Sequence, residues 1–118
     1  MTNWSNVINA VKDHNINCIY HLAAYLANEA EANPQVAYAV NVTGTFNILE
    51  AARLFKVDCV VFPSTISTYG PGIPDIVNED VVQNPNNMYG VTKVIGERLG
   101  EYYYHKFGVN FRCVRFPA

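Results

Sequence analysis

Tyr89 and Lys93 are the residues whose types and spacing could do acid–base chemistry. They stand four apart in Tyr89-Gly90-Val91-Thr92-Lys93. Asn86 and Asn87 are good helix starters and the pattern after them is helical. On a helix the phenol and the ammonium then share one face. An ammonium beside a phenol favours the phenolate and lowers a tyrosine pKa from its usual value near ~10. A tyrosine so lowered takes a proton from an alcohol at neutral pH. A second group must hold the alcohol oxygen. Upstream, Pro63-Ser64-Thr65-Ile66-Ser67-Thr68-Tyr69-Gly70 places Ser64 and Thr65 where a strand would end. A lone Tyr-x-x-x-Lys pair is more often a solvated helix face, so the weight rests on this context.

The elements that must position these groups alternate along the chain. Trp4, Val7, Ile8 and Val11 predict an amphipathic helix over 4–14. Residues 18–24 read as a buried strand with His21 near its end. His21 is expected to be a satisfied core histidine, because no carboxylate is spaced to partner it. Residues 25–33 read as a loop or broken helix, with Glu29 and Glu31 on a solvated rim. Asn33-Pro34 starts a long helix to about Phe55, cap followed by proline. Its stripe is Val40, Gly44, Ile48 and Ala52, and Gly44 is expected to permit close approach of a neighbour. A second strand runs from Val57 to Phe62. Residues 70–87 are a long Pro-, Gly- and Asn-rich loop, suited to covering a site. A third helix spans about Met88 to Phe107, stopped by Gly108, and carries Gly96 and Gly100 four apart. Tyr102, Tyr103 and Tyr104 divide between core and surface. A third strand covers 109–116, with Arg112 and Arg115 as ion-pair or rim residues. The α-β-α-β-α-β order predicts a single α/β domain with a parallel sheet of about three strands.

Composition narrows the function classes. Of 118 residues, 50% are hydrophobic and 15% charged, which argues for a folded chain. The net charge of -2, with no Lys/Arg cluster, argues against nucleic acid or an anionic membrane as partner. No apolar run approaches ~18 residues, so no membrane span is expected, and the first residues do not read as a signal peptide. Cys18, Cys59 and Cys113 lack paired spacing, which argues against a disulfide framework or a metal site. They are expected to be buried free thiols.

Four segments then carry a resemblance: Ile19-Tyr20-His21-Leu22-Ala23-Ala24, Asn41-Val42-Thr43-Gly44-Thr45, the Ser-Thr strand end, and the Tyr/Lys helix. In this order they resemble the extended short-chain dehydrogenase/reductases, in the epimerase/dehydratase branch. Within it the chain most resembles the short-chain type of L-threonine 3-dehydrogenases, through Glu31-Ala32-Asn33-Pro34, Tyr69-Gly70-Pro71, Tyr102-Tyr103-Tyr104 and Arg115-Phe116-Pro117. The resemblance implies a Rossmann-like fold and NAD-dependent oxidation of L-threonine, a small-molecule substrate, to 2-amino-3-oxobutyrate. NADP stays open. It implies Tyr89 as general base, Lys93 as the group that lowers Tyr89 and grips the nicotinamide ribose, and Thr65, with Ser64 beside it, as the holder of the substrate oxygen. Leu22, Ala23 and Ala24 would line the cofactor path, Asn41 would join the active-site and cofactor network, and Pro117 would border the nicotinamide. It further implies a homodimer through the two long helices, and a cytoplasmic or mitochondrial-matrix location. A nucleotide-sugar epimerase or dehydratase with the same triad is the alternative.

One part of the expected pattern does not occur in the sequence. A dinucleotide site of this kind needs a glycine-rich turn after a strand, and the 118 residues contain no G-x-G-x-x-G or G-x-x-G-x-x-G. By the resemblance the chain corresponds to the middle of a longer enzyme and lacks the first βαβ unit. The chain by itself is then expected to be inactive, or to be a non-catalytic truncated relative. The strand at 18–24 is expected to present an open edge and apolar surface.

Overall fold

The computed structural model describes residues 1–117. Helix α1 (Trp4–Asp13) begins at Asn3, whose side chain accepts from the Asn6 amide at 3.0 Å. It buries Val7 and Val11, while Trp4 stays largely exposed. Strand β1 (Cys18–Tyr20) leads to a short helix α2 (Ala27–Ala32). Asn33 then caps a long helical run with Pro34 at its first position. The run is α-helical over α3 (Pro34–Ala37), a π-helix over Tyr38–Thr43, and α-helical again over α4 (Gly44–Phe55). Lys56 ends it in the left-handed conformation at φ 53°. Strand β2 (Cys59–Thr65), a 3₁₀ turn (Ile66–Thr68), helix α5 (Met88–Phe107) and strand β3 (Phe111–Phe116) complete the chain.

The sheet is parallel throughout, in the order β1-β2-β3. This is the α/β Rossmann-like architecture expected from the alternating pattern. Strand β1 is shorter than the 18–24 run. The His21 amide still donates to the Val61 carbonyl at 2.9 Å, but the Leu22 amide turns back to Tyr20 and the ladder ends. Strand β1 lies at the sheet edge and is not buried: Tyr20 is 67% and Leu22 69% exposed. The cysteines also depart from expectation. All three thiols are free, but Cys18 and Cys113 are exposed and Cys59 is half-buried. The two exposed ones lie on edge strands, where neighbours cover them from one side only.

The core forms where Val7 and Val11 of α1, Ile48 and Leu49 of α4, Val60 of β2 and Tyr103 of α5 meet. Alternation along β2 turns Val60, Phe62 and Ser64 inward and leaves Cys59, Val61 and Pro63 half-buried. Helix α5 lies on the inward face at close range. A Cβ on Gly96 would stand 2.5 Å from the Phe62 ring, and one on Gly100 would overlap the Phe111 ring. Gly44 makes room in the same way for the Met1 side chain, 3.0 Å from a built Cβ. Tyr103 is buried while Tyr102 and Tyr104 are exposed, the expected division.

His21 is buried at the end of β1, 3% exposed. The Thr45 hydroxyl donates its single hydrogen to the Asn41 carbonyl at 2.5 Å. Thr45 can therefore only accept from His21 Nε2, at 2.9 Å. That fixes the Nε2–H tautomer and leaves Nδ1 as a buried acceptor without a protein partner. Burial, then the Lys93 ammonium and the chain N-terminus, push the imidazole pKa down to about 4.

Two outcomes follow from this packing. Gly96→Ala adds a methyl group against the fully buried Phe62. It should lower unfolding free energy by about 1–3 kcal/mol, although alanine is the better helix former by about 1 kcal/mol. Urea unfolding of the two proteins measures the difference. The His21 pKa lies below its unfolded value near ~6.5. Its contribution is therefore complete above that value and lost as pH falls toward the folded pKa of about 4. The loss reaches about 3 kcal/mol by pH 4 through this group. His21 ring signals that titrate between pH 5 and 8 by NMR would contradict the burial argument.

Candidate active site

A parallel sheet gathers the C-terminal ends of its strands along one edge, where ligands of such sheets bind. Here β1 delivers Leu22, Ala23 and Ala24, β2 delivers Ser64 and Thr65, and β3 delivers Pro117. Leu22, Ala23 and Pro117 are exposed and Ala24 is half-buried. The N-terminal turns of α5 bring Tyr89 and Lys93 to the same edge. That start is fixed twice. Asn87 Oδ1 accepts from the Gly90 amide at 2.7 Å, and Glu31 Oε1 accepts from the Met88 amide at 2.5 Å. A carboxylate at a helix N-terminus also suits the helix dipole. Glu31 is thus a helix cap and not a free rim charge. Gly90 lets the helix press onto the Ser67 carbonyl, which a Cβ would overlap.

Lys93 is 5% exposed. Its Nζ donates to the Pro63 carbonyl at 2.7 Å and lies 4.6 Å from the Phe62 ring centre and 5.6 Å from that of Tyr89. Burial pushes its pKa down to about 8. No carboxylate forms an ion pair with it among the described residues. An ammonium with one carbonyl partner and two further hydrogens can grip a neutral polyol.

Tyr89 is half-buried, and burial raises its phenol above the ordinary value. The expectation that Lys93 lowers it is not met in this geometry. The ammonium spends its hydrogen bond on Pro63 and lies beneath the ring, so desolvation of the phenolate dominates.

The two hydroxyls at the end of β2 point to opposite faces. Thr65 Oγ1 accepts from the Ser67 amide and meets the Ser67 hydroxyl, both at 3.2 Å. Ser64 turns inward and donates to Glu97 Oε1 at 2.5 Å. The Ser64 hydroxyl is therefore turned away from that of Thr65 and engaged by Glu97. Asn41, in the π-helix, has both amide hydrogens and its oxygen engaged. It accepts from the Tyr25 amide at 2.7 Å and donates to the Tyr25 carbonyl at 3.0 Å and to Thr92 Oγ1 at 2.9 Å. Thr92 in turn donates to the Tyr89 carbonyl at 2.8 Å. Asn41 ties the segment after β1 to the helix of Tyr89, and acts on the site through these neighbours.

Sequence reading passed over Glu97 and Ser67. Glu97 follows Lys93 by four residues, so Tyr89, Lys93 and Glu97 form one helix stripe. That spacing was the available signal. Ser67 carried only its place in a Ser/Thr-rich turn. Arg115 is an ion-pair residue, as expected, with Glu97 as its partner at 2.7 Å.

Among the described residues no helix is long and apolar enough to cross a membrane.

The whole chain, residues 1–118, matches the model of the NAD dependent epimerase/dehydratase family. It is 40% identical over 116 residues to mitochondrial L-threonine 3-dehydrogenase of Bos taurus, covering 98% of this chain and 31% of that protein. The solved L-threonine dehydrogenase of Phytophthora infestans superposes with a TM-score of 0.93 at 41% identity, covering 98% of this chain and 38% of that one. UDP-glucose 4-epimerase of Brucella ovis, solved in complex with NAD, superposes with a TM-score of 0.89 at 30% identity, covering 97% and 35%. The chain thus spans about a third of the length of the relatives it matches. On this match over the whole chain, with a parallel Rossmann-like sheet, the chain belongs to the NAD-dependent epimerase/dehydratase family.

Proposed function

We propose that the chain supplies the proton-transfer half of an NAD-dependent oxidation of L-threonine. The observation that carries this reading is the convergence of Thr65, Tyr89 and buried Lys93 at the C-terminal edge of the sheet. Its substrate term rests on likeness to the bovine and P. infestans threonine dehydrogenases.

The residues fit a nicotinamide dinucleotide at its ribose end. Lys93 offers two hydrogens to ribose hydroxyls, Leu22, Ala23 and Ala24 border the path, and Pro117 lies at the adjacent strand end. NAD, when bound, supplies the hydride acceptor and a cationic ring at that edge. Thr65 orients the alcohol oxygen and Tyr89 takes its proton. The phenol must first come down from its raised value. A positive charge beside the phenol would do this, and the nearby Lys93 ammonium is the group of this chain able to supply one. The dinucleotide phosphates need a glycine-rich turn that these 118 residues do not contain, so the chain by itself is expected not to turn over.

The second reading, a nucleotide-sugar epimerase, is favoured by the likeness to the B. ovis enzyme. A chimera separates the two. Residues 1–118 replace the matched segment of the P. infestans dehydrogenase, and nicotinamide absorbance is followed. L-Threonine-dependent NADH release supports the dehydrogenase. Interconversion of a UDP-sugar without net NADH supports the epimerase. Neither activity, with NAD still bound, would make the chain a non-catalytic relative. In an active chimera Tyr89→Phe should lower kcat by about 10²–10⁴-fold with cofactor affinity retained. Undiminished turnover would remove Tyr89 from the assignment.

The same reading places a homodimer contact on the outer faces of α4 and α5, where Phe46, Tyr102 and Phe107 are exposed. Sedimentation of the chimera as a monomer would overturn it. We infer a cytoplasmic or mitochondrial-matrix location; the bovine relative, named as mitochondrial, supports the second.

A further inference from the structure

Glu97 is 7% exposed, and its carboxylate receives four hydrogen bonds. Ser64 at the end of β2 donates to Oε1 at 2.5 Å. Arg115 of β3 donates through Nε to Oε1 at 3.0 Å and through Nη2 to Oε2 at 2.7 Å. Gln83, in the loop over 70–87, donates to Oε2 at 2.7 Å. Two oxygens with about four lone-pair positions are thereby filled. Arg115, Ser64 and Gln83 hold the carboxyl below its ordinary range against the opposing effect of burial.

The partners extend the grip along the loop. Arg115 Nη1 donates to Tyr69 Oη at 2.6 Å, and Tyr69 Oη donates to the Asn78 carbonyl at 3.2 Å. Arg98 Nη2 donates to Gln83 Oε1 at 2.8 Å. At the loop base the Asn84 amide donates to the Tyr69 carbonyl at 3.2 Å. Gly70, at φ +75°, lets the two loop ends meet where a Cβ would overlap the Asn84 carbonyl. The eighteen residues from Gly70 to Asn87 contain no helix or strand, yet they are fastened at Asn78, Gln83 and Asn84. Two of these three fastenings lead to Glu97 or to its partner Arg115.

We propose that Glu97 is the positioning residue of the site. One carboxylate sets both the seat of the β2 end that carries Thr65 and the closure of the 70–87 loop. It does so from the same helix face as Tyr89 and Lys93, one turn further along. A strand end, a loop and a helix are thereby tied to one charge, and a substrate that displaces the loop also loads the β2 end. The inference rests on the reading of Thr65 and Tyr89 as the reacting pair, but its test needs neither cofactor nor turnover.

The test is amide hydrogen exchange on the 118-residue chain and three variants, resolved by segment. Gln83→Leu removes the loop's bonds to Glu97 and Arg98, leaves the Asn78 fastening, and cuts no bond of the β2 end. It should speed exchange within 76–86 by about tenfold or more and leave 65–68 unchanged, since exchange reports local opening. Ser64→Ala cuts only the strand arm and should do the reverse. Glu97→Gln keeps shape and should loosen both segments while Val60 to Phe62 stay protected. Glu97→Asp, which keeps the charge, should restore part of the protection. A merely structural role would loosen all segments together and show no separation of arms. A folded Glu97→Gln protein with unchanged loop exchange overturns the proposal, as does uniform loosening. If Glu97→Gln does not fold, the two arm variants decide: unchanged loop exchange in Gln83→Leu overturns it.

Discussion

The structure depends on how closely α5 lies on the sheet. Gly96 and Gly100 take the Phe62 and Phe111 rings where side chains would otherwise stand. At that distance the Lys93 stem reaches past Phe62 to the Pro63 carbonyl, and Glu97 reaches Ser64. A helix held farther out by ordinary side chains would leave both short of the strand. Protein interiors do not tolerate such gaps, because contacts fall away within an ångström. Gly90 repeats the device at the helix start, against the Ser67 carbonyl. Three glycines on one helix therefore set the height at which its chemistry meets the strand ends.

This closeness also explains the electrostatics of the site. Among the described residues Lys93 is buried without a carboxylate in ion-pair contact and relaxes its charge onto a carbonyl and two aromatic faces. Glu97, one turn on, is buried with every lone pair engaged. Two opposite charges on one stripe have thus been given separate partners. Lys93 keeps hydrogens to spare, and Glu97 keeps nothing. The open group is the one able to meet a ligand, and the closed group is the one able to hold the frame.

Much of this was legible in the residues. The Tyr89/Lys93 spacing, the Asn87 and Asn33-Pro34 starts, the Gly108 stop and the parallel order all rest on local rules, and local rules survive folding. What escaped them was set by partners distant in sequence. The 18–24 run reads as one buried strand, but its ladder ends where the Leu22 amide turns back to Tyr20, while β2 runs on to Thr65. Ser64 is expected to assist Thr65, but alternation turns its hydroxyl to Glu97, thirty-three residues away. The Tyr89 phenol looked lowered by its neighbour, but no spacing rule says where a lysine spends its hydrogens. Exposure of Cys18 and Cys113 followed from edge position, which composition does not encode.

The π-helix over Tyr38–Thr43 has a consequence of its own. Its hydrogen bonds span one residue more than those of the helices on either side, so the faces of α3 and α4 are offset in phase. Asn41 occupies the offset and looks toward Tyr25 and Thr92, while Ile48 and Leu49 below it look into the core. One uninterrupted helical run from Pro34 to Phe55 thus presents two differently aimed faces. Loss of one residue in the π segment would bring the run back into phase and turn Asn41 away from Tyr25 and Thr92 while every composition-level property of the helix stayed the same.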